Sequence, residues 1–132
     1  MWNEIKNESD IIHFMNSVSY LHDSCVKEVK YISGAYVDSE LSMHAVNDVN
    51  SLTVTLQRQS NNIHTFEMEF VGIKQLHLMP LDNLYTCEIL ESSLFIKDGL
   101  FYWCDDSEYD LTSIDNAKGI YVCSSGLRWR SI

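Results

Sequence analysis

The feature that most constrains this chain is the strict alternation of apolar and polar residues in two segments. In residues 52–57, Leu, Val and Leu alternate with Thr, Thr and Gln, and in residues 66–70, Phe, Met and Phe alternate with two Glu. Successive side chains of a strand point to opposite faces, so the pattern predicts two strands that each have one buried and one hydrated face. The polar link 59–62 predicts that they form a hairpin.

A second hairpin is predicted where residues 94–103 are interrupted by Asp98-Gly99. Both residues tolerate the positive φ of a type I′ turn, which is the favoured two-residue hairpin connection. Residues 26–32 predict an earlier strand, followed by a turn or bulge at Gly34 before 35–37.

The remaining strand signals are weaker. Residues 119–123 and 127–130 predict a last hairpin around Ser124-Ser125-Gly126. Residues 73–79 and 85–91 are further strand candidates, and 85–91 also fits a short helix.

One segment near the start has helical periodicity. Asn7 is a favourable N-cap, and Asp10 can bond back to the first turn and favours the positive end of the helix dipole. Ile11, Phe14, Met15 and Val18 recur at helical spacing. The pattern predicts one helix from about Glu8 to Ser19, which is short enough to need a sheet to pack against.

Together these elements predict a single domain over residues 1–132 of the α+β class, mostly β. The expected architecture is one N-terminal helix packed on a curved antiparallel sheet of about seven to nine strands, as a sandwich or partial barrel. Hairpin links without intervening helices argue against a parallel sheet. A chain of 132 residues can bury a sufficient core without a metal or disulfide.

Charge restricts the classes of partner. The chain has 19 acidic and 9 basic side chains, a formal net charge of −10. This excess repels nucleic acid phosphates and anionic membranes, so neither is expected as a partner. A basic protein or a metal cation is compatible with the charge, as is simple solubility.

The start of the chain lacks a basic segment followed by an apolar core, so a cytoplasmic protein is expected. The four cysteines are far apart in sequence and are expected to be free core thiols in a reducing compartment. The five histidines show no zinc-ligand spacing, and neither a metal site nor a cofactor is predicted.

His22-Asp23-Ser24 has the residue types of a hydrolytic triad. Adjacent side chains at the start of a strand point in different directions, whereas a triad needs convergent groups. The three residues are therefore interpreted as a structural junction between the helix and the sheet.

The most acidic stretch lies between Asp98 and Ala117, which holds six acidic residues and no Lys or Arg. It does not match a helix-loop-helix calcium loop, because Leu111 and Ala117 stand where Gly and Glu are required. It follows an aromatic run, and aromatic area beside carboxylates suits the docking of a basic protein. The residues predicted to bind such a partner are Tyr102, Trp103, Asp105, Asp106, Glu108 and Asp110; a solvated loop after a core strand is the alternative.

Two other charged groups are assigned to the sheet surface. Glu67 and Glu69 share one strand face and are interpreted as its hydrated side rather than as an acid–base pair. In Arg128-Trp129-Arg130, the Trp is expected to point inward and the two Arg outward.

A family resemblance rests on Phe14-Met15 followed by the segment 20–28, Tyr-Leu-His-Asp-Ser-Cys-Val-Lys-Glu. This helix, His-Asp-Ser/Ala motif and strand resemble a group of small uncharacterised bacterial proteins, some of which are similar to immunity proteins of polymorphic toxins. The resemblance covers about the first third of the chain. It implies a cytoplasmic, non-enzymatic protein that binds and blocks a toxin domain, and it supplies no catalytic residues.

The function expected from the sequence is therefore a non-enzymatic protein-binding module, of immunity type, that masks a basic toxin domain. One alternative is a small-ligand carrier or enzyme that uses a cavity in the curved sheet, lined by His44, Tyr36 or Tyr85. Another is a homo-oligomeric protein that associates through an exposed edge strand.

Overall fold

The computed structural model of the chain describes residues 1–46, 49–107, 109–110, 112–114 and 119–132. Within these residues, the elements in chain order are β1 Asn3–Ile5, α1 Glu8–Ser17, β2 Ser24–Ile32, β3 Tyr36–Val37, β4 Met43–His44, β5 Ser51–Arg58, β6 Thr65–His77, β7 Ser93–Lys97, β8 Leu100–Cys104 and β9 Tyr121–Ser131.

The fold is mostly β, as predicted. One seven-stranded antiparallel sheet has the order β2-β5-β6-β9-β8-β7, and β1 pairs with β9 beside β8. Strands β3 and β4 form a separate small hairpin. The sheet is not closed, since β2 and β7 are its two ends. An isolated bridge between Ser24 and Ile89 joins the start of β2 to the segment that leads into β7.

The two strands with the clearest alternation form the predicted hairpin. The register pairs Leu52 with Phe70, Val54 with Met68 and Leu56 with Phe66. All six side chains are buried, and the residues between them are partly exposed. Strand β6 continues to His77, so the separate strand suggested at 73–79 is an extension of β6.

The predicted last hairpin around Ser124-Ser125-Gly126 is wrong. Residues 121–131 form one continuous strand, β9, which pairs with β6 along most of its length. Its other edge pairs with β8 through residues 121–124 and with β1 through residues 127–129. Three neighbouring strands supply more backbone hydrogen bonds than a local turn would, so pairing overrides the turn propensity of Ser-Ser-Gly.

The turn at Asp98-Gly99 is confirmed. The two residues have φ of 53° and 76°, as a type I′ turn requires, and they connect β7 to β8. Segment 85–91 is neither a regular strand nor a helix, because only Ile89 makes a β-bridge there.

Helix α1 starts as predicted and ends two residues earlier. The Asp10 N–H donates to Asn7 Oδ1 at 2.9 Å, and the Lys6 N–H donates to Asp10 Oδ2 at 2.9 Å. The helix ends because the next turn, Ser19–Leu21, is left-handed, with φ between 52° and 65° at all three residues. Right-handed helix cannot continue through such dihedral angles.

The main core lies between α1 and the inner face of the sheet. From the helix, Ile11, Phe14 and Met15 are buried, and Phe14 packs edge-on against Phe66 with ring centroids 6.0 Å apart. Trp129 lies 5.0 Å from Phe14. Helix and sheet therefore bury their apolar faces against each other, as a short helix requires for stability.

A second, smaller cluster lies on the opposite face of β8 and β9. Its buried members are Cys104, Ile114, Tyr121 and Cys123, with Tyr102 and Tyr109 packed against them. Ile114 and Tyr109 belong to the acidic segment that follows β8. These two side chains therefore cover the outer face of the sheet at this corner.

Candidate functional site

The aromatic run that leads into the acidic segment alternates between two faces. Trp103 is fully buried in the main core, where its ring lies 5.9 Å from Phe70. The prediction of Trp103 as a partner-binding residue is therefore wrong, since its side chain contacts only the interior. Tyr102 points to the other face and is partly buried in the smaller cluster.

Asp105 is held inside the fold by two donors from other segments. The Tyr85 hydroxyl donates a short hydrogen bond to one carboxylate oxygen, and the Ile120 N–H donates to the other at 3.2 Å. Burial raises the pKa of Asp105 above its ordinary value, against the lowering effect of these bonds. Burial and the adjacent Asp105 carboxylate raise the pKa of Tyr85.

The contact between Tyr85 and Asp105 depends on the backbone of Gly119. A Cβ at this position would lie 2.6 Å from the Tyr85 hydroxyl and would overlap the Asp105 carboxylate. Only glycine therefore allows the chain to pass this close. Asp105 thus links three segments: the end of β8, the loop before β7 and the start of β9.

The other acidic residues of the prediction lie in different environments. Asp106 is partly exposed, and its carbonyl accepts hydrogen bonds from Ser93 Oγ at 2.7 Å and Cys104 Sγ at 3.1 Å. Asp110 is exposed and accepts bonds from Thr112 and Ser113. These bonds, chiefly from the Thr112 side chain, lower the pKa of Asp110. Glu108 lies outside the described residues.

The structure adds two carboxylates that the sequence analysis did not select. Glu88 and Glu91, from the loop before β7, line a groove of about 400 Å³ together with Asp105 and Asp106. Tyr85 lines the same groove, which is here called the acidic groove. Among the described residues, its lining contains no Lys or Arg. No local pattern in the sequence places residues 88–91 beside 105–106, because the contact joins two irregular segments.

A second groove, of about 260 Å³, adjoins the acidic groove at Tyr85 and Asp105. Here it is called the apolar groove. Its walls are the inner side of β2 and the segment after β6, with the apolar lining residues Val26, Val29, Leu78, Met79, Pro80, Leu81, Ile89 and Ile120. Leu78 and Leu81 are about half exposed, at 50% and 55%. Apolar and acidic surfaces therefore meet at one pair of residues.

His22, Asp23 and Ser24 lie where the left-handed turn meets β2. His22 Nδ1 lies 2.7 Å from the Leu90 carbonyl oxygen, and its Nε2 lies 3.5 Å from an Asp23 carboxylate oxygen. The backbone of Asp23 and Ser24 pairs with Ile89 at 3.1 and 2.8 Å. The Ser24 hydroxyl is buried, whereas the other two side chains are exposed. These positions do not bring the three groups together as a catalytic triad needs.

The charged residues of the central strands form cross-strand ion pairs on the outer face. Arg128 donates to Glu69 at 2.8 Å, and Arg130 donates to Glu67 at 2.8 Å. The Trp2 ring lies under both guanidinium groups, at 4.4 and 4.3 Å. This ion-paired face agrees with the expected outward Arg and inward Trp129, and it shows that the two Glu have partners.

The remaining candidates occupy separate places. Tyr36 and His44 stack on each other, 4.3 Å apart, on the exposed β3–β4 hairpin. Cys104 and Cys123 are buried, as expected for core thiols, but Cys87 is exposed and Cys25 is intermediate.

In the part of the chain that the structure describes, no group of three or more His, Cys, Asp or Glu side chains is arranged to hold a metal ion. None of its helices is both long and apolar enough to cross a membrane.

Comparison of the chain with known protein families, with curated protein sequences and with solved structures finds no significant match.

Proposed function

We propose that this chain is a non-enzymatic protein-binding module that recognises a basic segment of another protein. The observation that carries the proposal is the meeting of the acidic and apolar grooves at Tyr85 and Asp105. Carboxylates pair with Lys and Arg and increase the association rate, while apolar and aromatic surface supplies most of the binding energy. The chain's net charge of −10 favours the approach of a basic partner from a distance.

The contact residues differ from those expected from the sequence alone. Glu88 and Glu91 are proposed to pair with cations of the partner, and Tyr85 to contact an apolar side chain between them. Asp105 acts as a positioning residue, because its carboxylate is already bonded to Tyr85 and Ile120. An immunity-type role, in which the partner is a basic toxin domain, is the specific form of this proposal that the His-Asp-Ser resemblance favours.

The proposal is tested with the double variant Glu88→Lys with Glu91→Lys. The matched control reverses two exposed acids elsewhere, Glu4 and Glu40, and so has the same net charge. The probe is a synthetic peptide of alternating Lys and Leu, titrated by calorimetry at low and high salt. Wild type and control are expected to bind with strong salt dependence, and the groove variant at least about tenfold more weakly. Equal binding by the two variants would contradict the assigned groove.

A small-ligand carrier is the second candidate, and the apolar groove is the observation that favours it. A ligand that binds only the folded chain raises its thermal stability. A thermal-shift screen with small apolar amines would separate the two classes, because a stabilising small molecule supports the carrier. Stabilisation by the Lys-Leu peptide alone supports protein binding.

A further inference from the structure

The two ends of the sheet differ in how they are covered. At one end, helix α1 contacts β7. At the other end, β2 is paired only with β5, and beyond the Ser24–Ile89 bridge no described strand pairs with its free edge. Lys27, Glu28 and Lys30 are exposed along this edge, and Tyr31 is 50% exposed. An uncovered edge presents backbone N–H and C=O groups that another strand can pair with.

The charges on β2 alternate in a way that complements a second copy of the same strand. Glu28 and Lys30 lie opposite Thr55 and Thr53 of β5, on the hydrated face, whereas Val29 lies opposite the buried Val54. Glu28 and Lys30 therefore lie on the hydrated face, one position before and one position after Val29, whose side chain is on the opposite face.

We propose that two copies of this chain associate by antiparallel pairing of their β2 edges around a two-fold axis at Val29. Each residue then faces the one equally far from the axis on the other strand. Glu28 faces Lys30 of the second copy, and Lys30 faces its Glu28. Directly opposed side chains are roughly 5 Å apart at Cβ, so two cross-strand ion pairs form.

Other registers of the same pair are less favourable. Directly opposed residues of an antiparallel pair point to the same face of the sheet, so their positions differ by an even number. A two-fold axis perpendicular to the sheet therefore lies at a residue and not between two residues. An axis at Glu28 places the two Glu28 side chains opposite each other, and an axis at Lys30 does the same for the two Lys30. Like charges directly opposite are destabilising. An axis at Tyr31 opposes two tyrosines and pairs no unlike charges.

The same strand limits the association to a closed dimer. The register between β2 and β5 shifts between Val26 and Glu28, so Lys27 is the additional residue of a bulge. A bulge interrupts regular pairing, which confines the contact to the residues after Lys27. Because both copies use the same edge, the contact is closed by the two-fold axis, and neither β2 edge is left for a third copy. This inference uses other charged side chains than the proposed acidic groove and can fail independently of it.

The test is a charge swap on β2, measured by sedimentation equilibrium over a range of concentrations at low salt. Wild type is expected to dimerise reversibly. Glu28→Lys and Lys30→Glu each replace two attractive pairs by two repulsive ones and should raise the dimer dissociation constant about tenfold. The double variant Glu28→Lys with Lys30→Glu restores unlike pairs and should recover the wild-type constant. Lys97→Glu, at the far end of the sheet, is the control and should leave it unchanged.

Amide hydrogen exchange supplies an independent measurement on the same samples. In the wild type and the double variant, amides of residues 28–30 should exchange more slowly at high than at low concentration. A wild-type chain that remains monomeric up to about 1 mM would overturn the proposal. So would a dimer whose dissociation constant stays at the wild-type value in both single variants, since that result would place the axis elsewhere.

Discussion

The ion-paired face and the acidic groove show two ways in which this chain arranges its carboxylates. On the ion-paired face, Glu67 and Glu69 lie on a regular strand, and the neighbouring strand supplies an Arg to each at 2.8 Å. In the acidic groove, Glu88 and Glu91 come from an irregular loop, and the described lining contains no basic side chain. The first arrangement is complete within the chain, whereas the second leaves Glu88 and Glu91 available to a cation from outside.

The difference follows from the backbone that holds each group. A strand register fixes which residues face each other, so alternating Glu on β6 and alternating Arg on β9 meet in pairs. A loop has no such register, and its charges are placed by a few contacts, such as the bond from Tyr85 to Asp105. Stability is therefore expected to depend on the ion-paired face, and binding on the acidic groove.

The largest effect is expected in the main core, at Trp103, whose ring packs against Phe70 of β6. Replacing it by Ala should lower the free energy of unfolding by about 3–5 kcal/mol, because a large buried side chain is removed and a cavity remains. Tyr102→Ala, on the opposite face of β8, should cost only about 1–2 kcal/mol, since its side chain is partly exposed. Urea unfolding measures both. Equal losses would contradict the assignment of Trp103 to the core and Tyr102 to the smaller cluster.

An intermediate effect is expected from reversing charges on the ion-paired face. Glu67→Lys with Glu69→Lys places Lys opposite Arg130 and Arg128 and should destabilise the fold by about 2 kcal/mol. The matched control, Glu88→Lys with Glu91→Lys in the acidic groove, changes the net charge equally and should alter stability by less than about 0.5 kcal/mol. Thermal unfolding of both variants at low salt is the measurement. A larger loss in the groove variant would reverse the comparison.

The smallest effect concerns pH and Asp105. Burial raises the pKa of this carboxyl in the folded chain. The folded chain therefore retains a proton over a pH range in which the unfolded chain has lost it, and stability decreases as pH rises through that range. Asp105→Asn removes this titration. The difference in unfolding free energy, variant minus wild type, should therefore increase as the pH is raised from about 3 to about 7.

Tyr85→Phe sharpens the same measurement. The Tyr85 hydrogen bond lowers the pKa of Asp105, so its removal should raise that pKa further and make the loss of stability with pH steeper. Urea unfolding at several pH values compares the three proteins. A flat difference between Asp105→Asn and wild type would show that the Asp105 carboxyl is not perturbed by burial.

Much of the fold could be predicted because its signals are local. The alternation in 52–57 and 66–70 follows from the two-residue period of a strand, and Asp98-Gly99 from tolerance of positive φ. The strand β9 could not be predicted in the same way. Residues 124–126 have turn propensity, but Ser124 and Gly126 pair with Ile73 and Val71 of β6, and Ser124 is fully buried.

The candidate site was predicted only in part. The acidic segment after β8 was recognised from its composition, and it does supply Asp105 and Asp106 to the groove. The partners of that segment, Tyr85, Glu88 and Glu91, lie at least 14 positions earlier, in a loop without periodicity. Trp103 was misassigned because an aromatic run alternates between both faces of a strand, and composition alone does not show which face is covered.

By itself, the sequence determined the helix start, the central hairpin, the type I′ turn and the excess of negative charge. These depend on dihedral preferences, side-chain period and formal charge, which are properties of neighbouring residues. Only the tertiary structure decided which charges are paired, which end of the sheet is uncovered and where the acidic and apolar surfaces meet. Those outcomes depend on strand order and on contacts between distant segments, and no local pattern encodes them.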